Sequence, residues 1–352
     1  MSISRRTLLK QTALTAGFAM SGLPARSSAK ETPPKCPTEK DTFALLRTGR
    51  KQKIPVIFDT DIGGDIDDTW ALVMLLKCPE LDVKLVASDG GNATYRARLA
   101  AKLLEDCGRT DIPVAVGIPP GDSRGHQSDW IGEYSLDKYP GAVYKDGVDA
   151  IVRTIKQSPE PVTVCCIGAV PNIAAALKRD PSIVENARFV GMHGSIRVGY
   201  DGSPKPCREA NVIQGIAALR DVFAAPWECT ITPLDTCGLV KLSGAKYEKI
   251  YQRAEKDPAI KALMENYRIW LPHPPWLKHR PDPAKESTTL FDLVAVYLAF
   301  SEDFVELEDL PIGVTDRGMT VIDKSKRTIR CATKWKDMGA FEDLLVERFV
   351  RN

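Results

Sequence analysis

Ile54-Pro55-Val56-Ile57-Phe58-Asp59-Thr60-Asp61-Ile62-Gly63-Gly64-Asp65-Ile66-Asp67-Asp68-Thr69-Trp70-Ala71-Leu72 is the stretch that decides the reading of this chain. Its opening run is apolar and β-branched and stops at acids, as a buried parallel strand does. Five carboxylates then fall within ten residues, Asp59, Asp61, Asp65, Asp67 and Asp68. Like charges a few ångströms apart raise one another's pKa and are costly unless a cation neutralises them. Gly63 and Gly64 allow the backbone to turn sharply enough to bring the acids together. Thr69 to Lys77 reads as a helix, so the acids sit between two buried elements, at the carboxyl edge of a strand where ligands bind in parallel sheets. Oxygen ligands without a neighbouring His or Cys favour Ca²⁺ or Mg²⁺ over zinc. The competing reading is a solvated acidic turn that caps the helix; the buried flanks weigh against it.

Outward from this loop, strands and helices alternate. Val83 to Ser88, Val114 to Val116, Val162 to Ile167, Arg188 to Met192 and Glu228 to Ile231 read as strands. Thr94 to Cys107, with Leu99, Leu103 and Leu104 at helical spacing and Gly108 behind it, reads as an amphipathic helix, and a second helix runs through Ala174 to Leu177. Alternation of this kind predicts an α/β fold, a mainly parallel sheet with helices on both faces. No Gly- or Ser-rich linker divides residues 51–352, so a single domain is expected there. Thr320-Val321-Ile322 and Thr328-Ile329-Arg330, separated by charged turn residues, predict a late hairpin before a C-terminal helix.

The 352 residues carry a formal charge of +2, and 43% are hydrophobic. That balance excludes a chain built to grip nucleic acid through its phosphates, and no apolar run reaches the roughly 18 residues that span a bilayer. Ser4-Arg5-Arg6-Thr7-Leu8-Leu9-Lys10, followed by a weakly apolar stretch and small residues, is similar to a twin-arginine export signal over residues 1–29. A cut near Ser27-Ser28-Ala29 removes Arg5, Arg6, Lys10 and Arg26 and no acid, turning the charge from +2 to −2. Residues 30–50 are a polar leader with Pro33, Pro34 and Pro37, ending in a short helix. The expected location is therefore outside the cytoplasm, periplasmic or extracellular, with no membrane attachment after the signal is removed. Nine cysteines without a C-x-x-C pair are neither a disulfide framework nor a zinc site, and are expected as core filler.

The acidic loop with Thr69-Trp70-Ala71-Leu72 resembles the N-terminal signature of the inosine–uridine-preferring nucleoside hydrolase family. The resemblance continues in order through Ser88-Asp89-Gly90-Gly91-Asn92, Asp111-Ile112-Pro113-Val114, Ile167-Gly168-Ala169-Val170-Pro171-Asn172-Ile173-Ala174, Glu209-Ala210-Asn211 and Leu290-Phe291-Asp292-Leu293-Val294-Ala295. The acidic loop is two residues longer than the commonest form in the family. The resemblance implies one Ca²⁺ held by Asp61, Asp68, the carbonyl of Ile167 and Asp292, with ribose hydroxyls completing its shell. It also implies Asp61 as general base for a metal-activated water, and Asp67, Asn92, Glu209 and Asn211 as holders of the sugar. The implied reaction is hydrolysis of the N-glycosidic bond of a ribonucleoside or related riboside, through an oxocarbenium-like state that nearby carboxylates stabilise. Its partner is a small-molecule riboside or sugar, and the reading leaves room for a homo-oligomer.

Several residues keep two readings. Asp292, taken alone, fits the N-terminal cap of an apolar helix; with the other blocks, the metal reading prevails. Asn92 and Asn211 are ordinary turn residues unless the sugar claims them. Phe291 stands where many family members carry a histidine, and it cannot protonate a departing base. His193 stands where the family usually has glycine, either as a replacement acid or, the favoured reading, as a structural residue. The aromatics of Trp270-Leu271-Pro272-His273-Pro274-Pro275-Trp276 either stack on a nucleobase or pack a lid. Two other functions compete. A phosphatase of the haloacid dehalogenase type also opens on strand-then-Asp-x-Asp, but leaves the Gly-Gly-Asn and Glu-Ala-Asn blocks unexplained. A non-catalytic sugar or polysaccharide binder on the same scaffold would need no leaving-group acid.

Overall fold

A computed structural model describes residues 53–277 and 279–351. The expected export segment 1–29, the leader 30–50 and Cys36 lie outside the described residues. Ten strands follow one another in the chain: β1 (Ile54–Thr60), β2 (Leu81–Ser88), β3 (Val114–Val116), β4 (Val143–Tyr144), β5 (Val162–Cys166), β6 (Ala187–Met192), β7 (Cys229–Thr232), β8 (Val305–Val314), β9 (Thr320–Ile322) and β10 (Thr328–Trp335). They form one sheet in the order β4-β3-β2-β1-β5-β6-β7-β10-β8-β9. Every pairing from β4 across to β10 is parallel, while β8 runs antiparallel to both β10 and β9.

Alternate side chains of the central strands enter two cores. Val56 and Phe58 of β1, Cys165 of β5 and Val190 of β6 pack under the helices Asp67–Lys77, Ala93–Asp106, Pro258–Trp270, Leu293–Leu298 and Met338–Val350. Ile57, Val164, Cys166 and Phe189 point the other way, toward Gly147–Gln157, Pro171–Arg179 and Ile216–Ala224. Period-two alternation with both faces apolar explains why these strands read as near-continuous hydrophobic runs. The eight described cysteines are free; six are buried and two half-buried, as filler should be. Burial pushes the Cys78, Cys107, Cys165 and Cys229 thiols up to about 12, which keeps them protonated and inert. No described helix is long and apolar enough to cross a membrane.

The late hairpin is corrected. β9 and β10 do not pair; β8 lies between them and bonds to both. β8 reads Val-Glu-Leu-Glu-Asp-Leu-Pro-Ile-Gly-Val, too acidic for a strand by composition. Two of its acids are neutralised by cations from other elements, Glu306 by Lys334 at 3.0 Å and Glu308 by Arg197 at 2.5 Å.

The strand order places the site. From β1 the chain moves outward through β2, β3 and β4, then returns to the other flank of β1 with β5, β6 and β7. The crevice at the carboxyl ends of β1 and β5 is thus a topological switch point, the usual ligand position in such sheets. Asp61, Asp89, Ile167 and His193 all leave the sheet there, just past the ends of β1, β2, β5 and β6.

Candidate active site

The loop after β1 is shaped by its own side chains. The Thr60 hydroxyl donates to Asp68 Oδ1 at 2.5 Å and accepts the Ile62 N–H at 3.0 Å, folding the loop back on the strand end. Gly63 has φ +91, and a Cβ there would stand 2.6 Å from the Tyr95 ring, so only glycine fits. Gly90, from the loop after β2, has φ +69 and would put a Cβ 2.9 Å from the Asp61 Cβ. Two backbone segments therefore close tightly around Asp61.

The acids converge as the sequence requires. Oxygens of Asp67, Asp68 and Asp292 lie within 4.8 Å of one another, and all three residues are buried. A solvated acidic turn is ruled out by that burial. Asp292 stands at the N-cap position of Leu293–Leu298 without accepting a bond from the helix; its carboxylate gathers with those of Asp67 and Asp68 instead. The capping alternative for Asp292 therefore fails. Burial first, and then the charge of a neighbouring carboxylate (Asp65 for Asp67, Asp61 for Asp68, Asp67 for Asp292), push the carboxyls of Asp67, Asp68 and Asp292 well above the ordinary range. Asp61 adds its repulsion to all three, and also to Asp59, Asp65, Asp89 and Glu209, which marks it as the hub of the cluster. A crowded, buried, all-oxygen set of this kind fits a hard divalent cation.

The remaining expected residues divide between the crevice and its supports. The Ile167 carbonyl accepts the Asn211 side-chain amide at 2.8 Å, and the same amide reaches the Met192 carbonyl at 3.2 Å, so Asn211 ties the ends of β5 and β6. Glu209 caps the helix Ala210–Gln214: its oxygens accept the N–H groups of Asn211, Val212 and Gly194 at 2.7, 3.1 and 3.0 Å. Burial nevertheless raises its carboxyl to about 7. Asn92 is tied to a loop: its amide donates to the Ser123 carbonyl at 2.8 Å and accepts the Ser123 N–H at 2.9 Å. The structure thus brings Asp61, Asp67, Asp68 and Asp292 together and gives the Asn92 amide to backbone.

Other groups at the crevice were not singled out as site residues from the sequence. Arg96 stands 3.2 Å from Asp61 Oδ2, four residues into the amphipathic segment that starts at Asn92; its i+4 spacing from Asn92 was the available signal. Asp59 is fully buried and accepts the Asn172 amide at 2.8 Å. Asp89 beside it is pushed well up, by burial and then by the Asp59 charge. Above the acidic loop, the Gly64 carbonyl accepts the buried Trp270 indole N–H at 2.9 Å and faces His126 Nδ1 at 3.1 Å. The His126 ring stacks on His273 and leans on Trp276, which is 53% exposed. Within the lid segment Trp270 packs, while Trp276 stands open.

His193 lies just past the end of β6. It is fully buried, its Nε2 contacts the Gly168 carbonyl at 2.9 Å, and its ring sits between Phe189 and Phe223. Burial depresses its pKa to about 4. A neutral imidazole enclosed by aromatics is a structural residue, as favoured from the sequence.

Residues 56–350 match the family model described as inosine-uridine preferring nucleoside hydrolase. A pyrimidine-specific ribonucleoside hydrolase, RihA, of Citrobacter koseri is 30% identical, with 84% of this chain and 98% of that protein covered. A probable uridine nucleosidase 2 of Arabidopsis thaliana is 34% identical over 51% of this chain and 58% of its own length. Among solved structures, a plant nucleoside hydrolase superposes with a TM-score of 0.72 at 21% identity, covering 86% of this chain and all of that one. An inosine-uridine preferring nucleoside hydrolase of Bacillus anthracis gives 0.66 at 19% identity, covering 85% and 100%.

Proposed function

Because this chain belongs to the inosine-uridine preferring nucleoside hydrolase family, we propose that it hydrolyses the N-glycosidic bond of ribonucleosides with calcium as its resident cation. The observation that supports this reading is the buried triad of Asp67, Asp68 and Asp292 beside Asp61, at the switch point of the sheet. Asp61, Asp68, Asp292 and the Ile167 carbonyl would hold the cation, all of them oxygen donors. When bound, calcium gathers many oxygens at once, accommodates a sugar diol and lowers the pKa of a water.

The chain's own residues supply the rest. Asp61 takes the proton from the attacking water, with Arg96 3.2 Å away to fix its carboxylate. Asp67 accepts from a ribose hydroxyl, and Asn211 and Glu209 border the sugar from the ends of β5 and β6. The density of carboxylates around the anomeric carbon stabilises positive charge as the bond to the base lengthens. Trp276 and His273 offer flat faces to the departing base. The names of the curated relatives make uridine and other pyrimidine ribonucleosides the first substrates to try. Export by the twin-arginine route to the periplasm or beyond is the matching proposal for residues 1–29, supported by Arg5-Arg6 and the stretch that follows.

The test is release of free ribose from uridine, cytidine and inosine by protein stripped with a chelator and then refilled with Ca²⁺. Turnover that vanishes on stripping and returns with Ca²⁺ is expected, and Asp61→Ala should lower it by about 10² to 10⁴-fold. Binding of ribosides without any release of ribose would instead identify a non-catalytic binder on the same fold.

A further inference from the structure

Tyr200 opens a short turn, Tyr200–Gly202, between β6 and Glu209. Its ring meets Phe291 edge-on, with centroids 5.9 Å apart and planes at 86°. Its oxygen accepts the backbone N–H of Ala210 at 3.0 Å. Ala210 lies between Glu209 and Asn211, and Phe291 directly precedes Asp292, so one side chain spans two edges of the acid cluster. The turn is built to hold it: Asp201 has a φ of 56, uncommon for a residue with a Cβ, and a Cβ on Gly199 would fall 2.5 Å from the Lys205 carbonyl.

The bond from Ala210 occupies a lone pair of the phenol and leaves its O–H to donate. Among the described residues that proton has no acceptor, and Tyr200 is 37% exposed. Resting on the riboside-hydrolase reading, we propose that Tyr200 is a catalytic residue of the leaving-group side, whose O–H hydrogen-bonds the nucleobase as it departs while Phe291 gives the base an apolar wall. Water adds its hydroxyl to C1′ and its proton to Asp61. The electron pair of the C1′–N bond leaves with the base, which then takes a proton from solvent, and Asp61 returns its own to solvent. Tyr200 keeps its proton throughout. Burial, and next the Glu209 charge, hold the phenol well above its ordinary range, in keeping with a donor that does not ionise.

Tyr200→Phe keeps the ring on Phe291 and removes the hydroxyl, both its O–H and the acceptor of the Ala210 N–H. Its kcat/KM should fall roughly 10- to 100-fold on uridine and inosine, the range of a lost hydrogen bond to developing charge. On nitrophenyl riboside, whose leaving group departs unaided, the change should stay within about threefold. Equal losses on all three substrates would place the hydroxyl on the sugar and overturn the assignment, as would no loss on any. A wild-type protein inert on all three would remove the hydrolase reading, and this inference with it.

Discussion

His193 and Phe291 show how a residue's surroundings decide between chemistry and structure. Sequence alone leaves His193, or a residue of the 270–276 lid, to replace the donor that Phe291 cannot be. The burial of His193 and its contact with Gly168 make it a strut. His193→Ala should therefore cost about 1–3 kcal/mol by orphaning the Gly168 carbonyl, more as the ring cavity fails to close. Its kcat/KM on uridine should stay within about threefold of wild type. Thermal unfolding and steady-state kinetics on the same sample decide the matter, and a hundredfold loss of rate at unchanged stability would make the histidine catalytic. The depressed pKa has a sign. Between its ordinary 6.5 and about 4, the unfolded chain binds a proton that the folded one refuses. The contribution of His193 is thus complete above that window and lost as pH falls through it.

At the scale of elements, the helix Ala210–Gln214 rests on a carboxylate to which the proposed function also gives a binding role. Glu209 satisfies three backbone N–H groups there, and losing such a cap costs roughly 1–2 kcal/mol. Glu209→Ala should thus lower stability by that amount and raise KM for ribosides, while the cation content of the protein stays as in wild type; loss of the cation would contradict this division of roles. Much of the element plan was legible. β1, β5 and β6 are buried on both faces, so apolar runs ending in Asp or Gly mark them without reference to the fold. The acid cluster was legible because repulsion among five aspartates demands an explanation. β8 was not, since its Glu306 and Glu308 are paired with cations distant in sequence. Tyr200 and Arg96 were missed for a related reason: their meaning lies in the partners that the fold brings to them, Phe291 and Asp61, and neither stands in a local motif.

For the whole molecule, the acid cluster couples folding to the cation. Carboxyls raised in the fold hold protons that the unfolded chain gives up, so metal-free protein loses stability as pH rises past the ordinary carboxylate range. A cation that binds only the folded form reverses this, contributing about 2.7 kcal/mol at a hundred times its Kd, or a Tm rise of roughly 4 °C in a chain of this size. Calorimetry should show that rise to be larger at pH 8 than at pH 5.5; a rise equal at both would mean that the cation binds elsewhere. The central claim is that Asp61, Asp68 and Asp292, with the Ile167 carbonyl, hold the cation on which hydrolysis depends. Its most direct test is calcium bound per chain, measured together with ribose release from uridine, in wild type and in Asp292→Asn. The account predicts bound calcium and turnover in the wild type, and loss of both in the variant, which is nearly isosteric and stays folded. A variant that keeps its calcium and its turnover would contradict it.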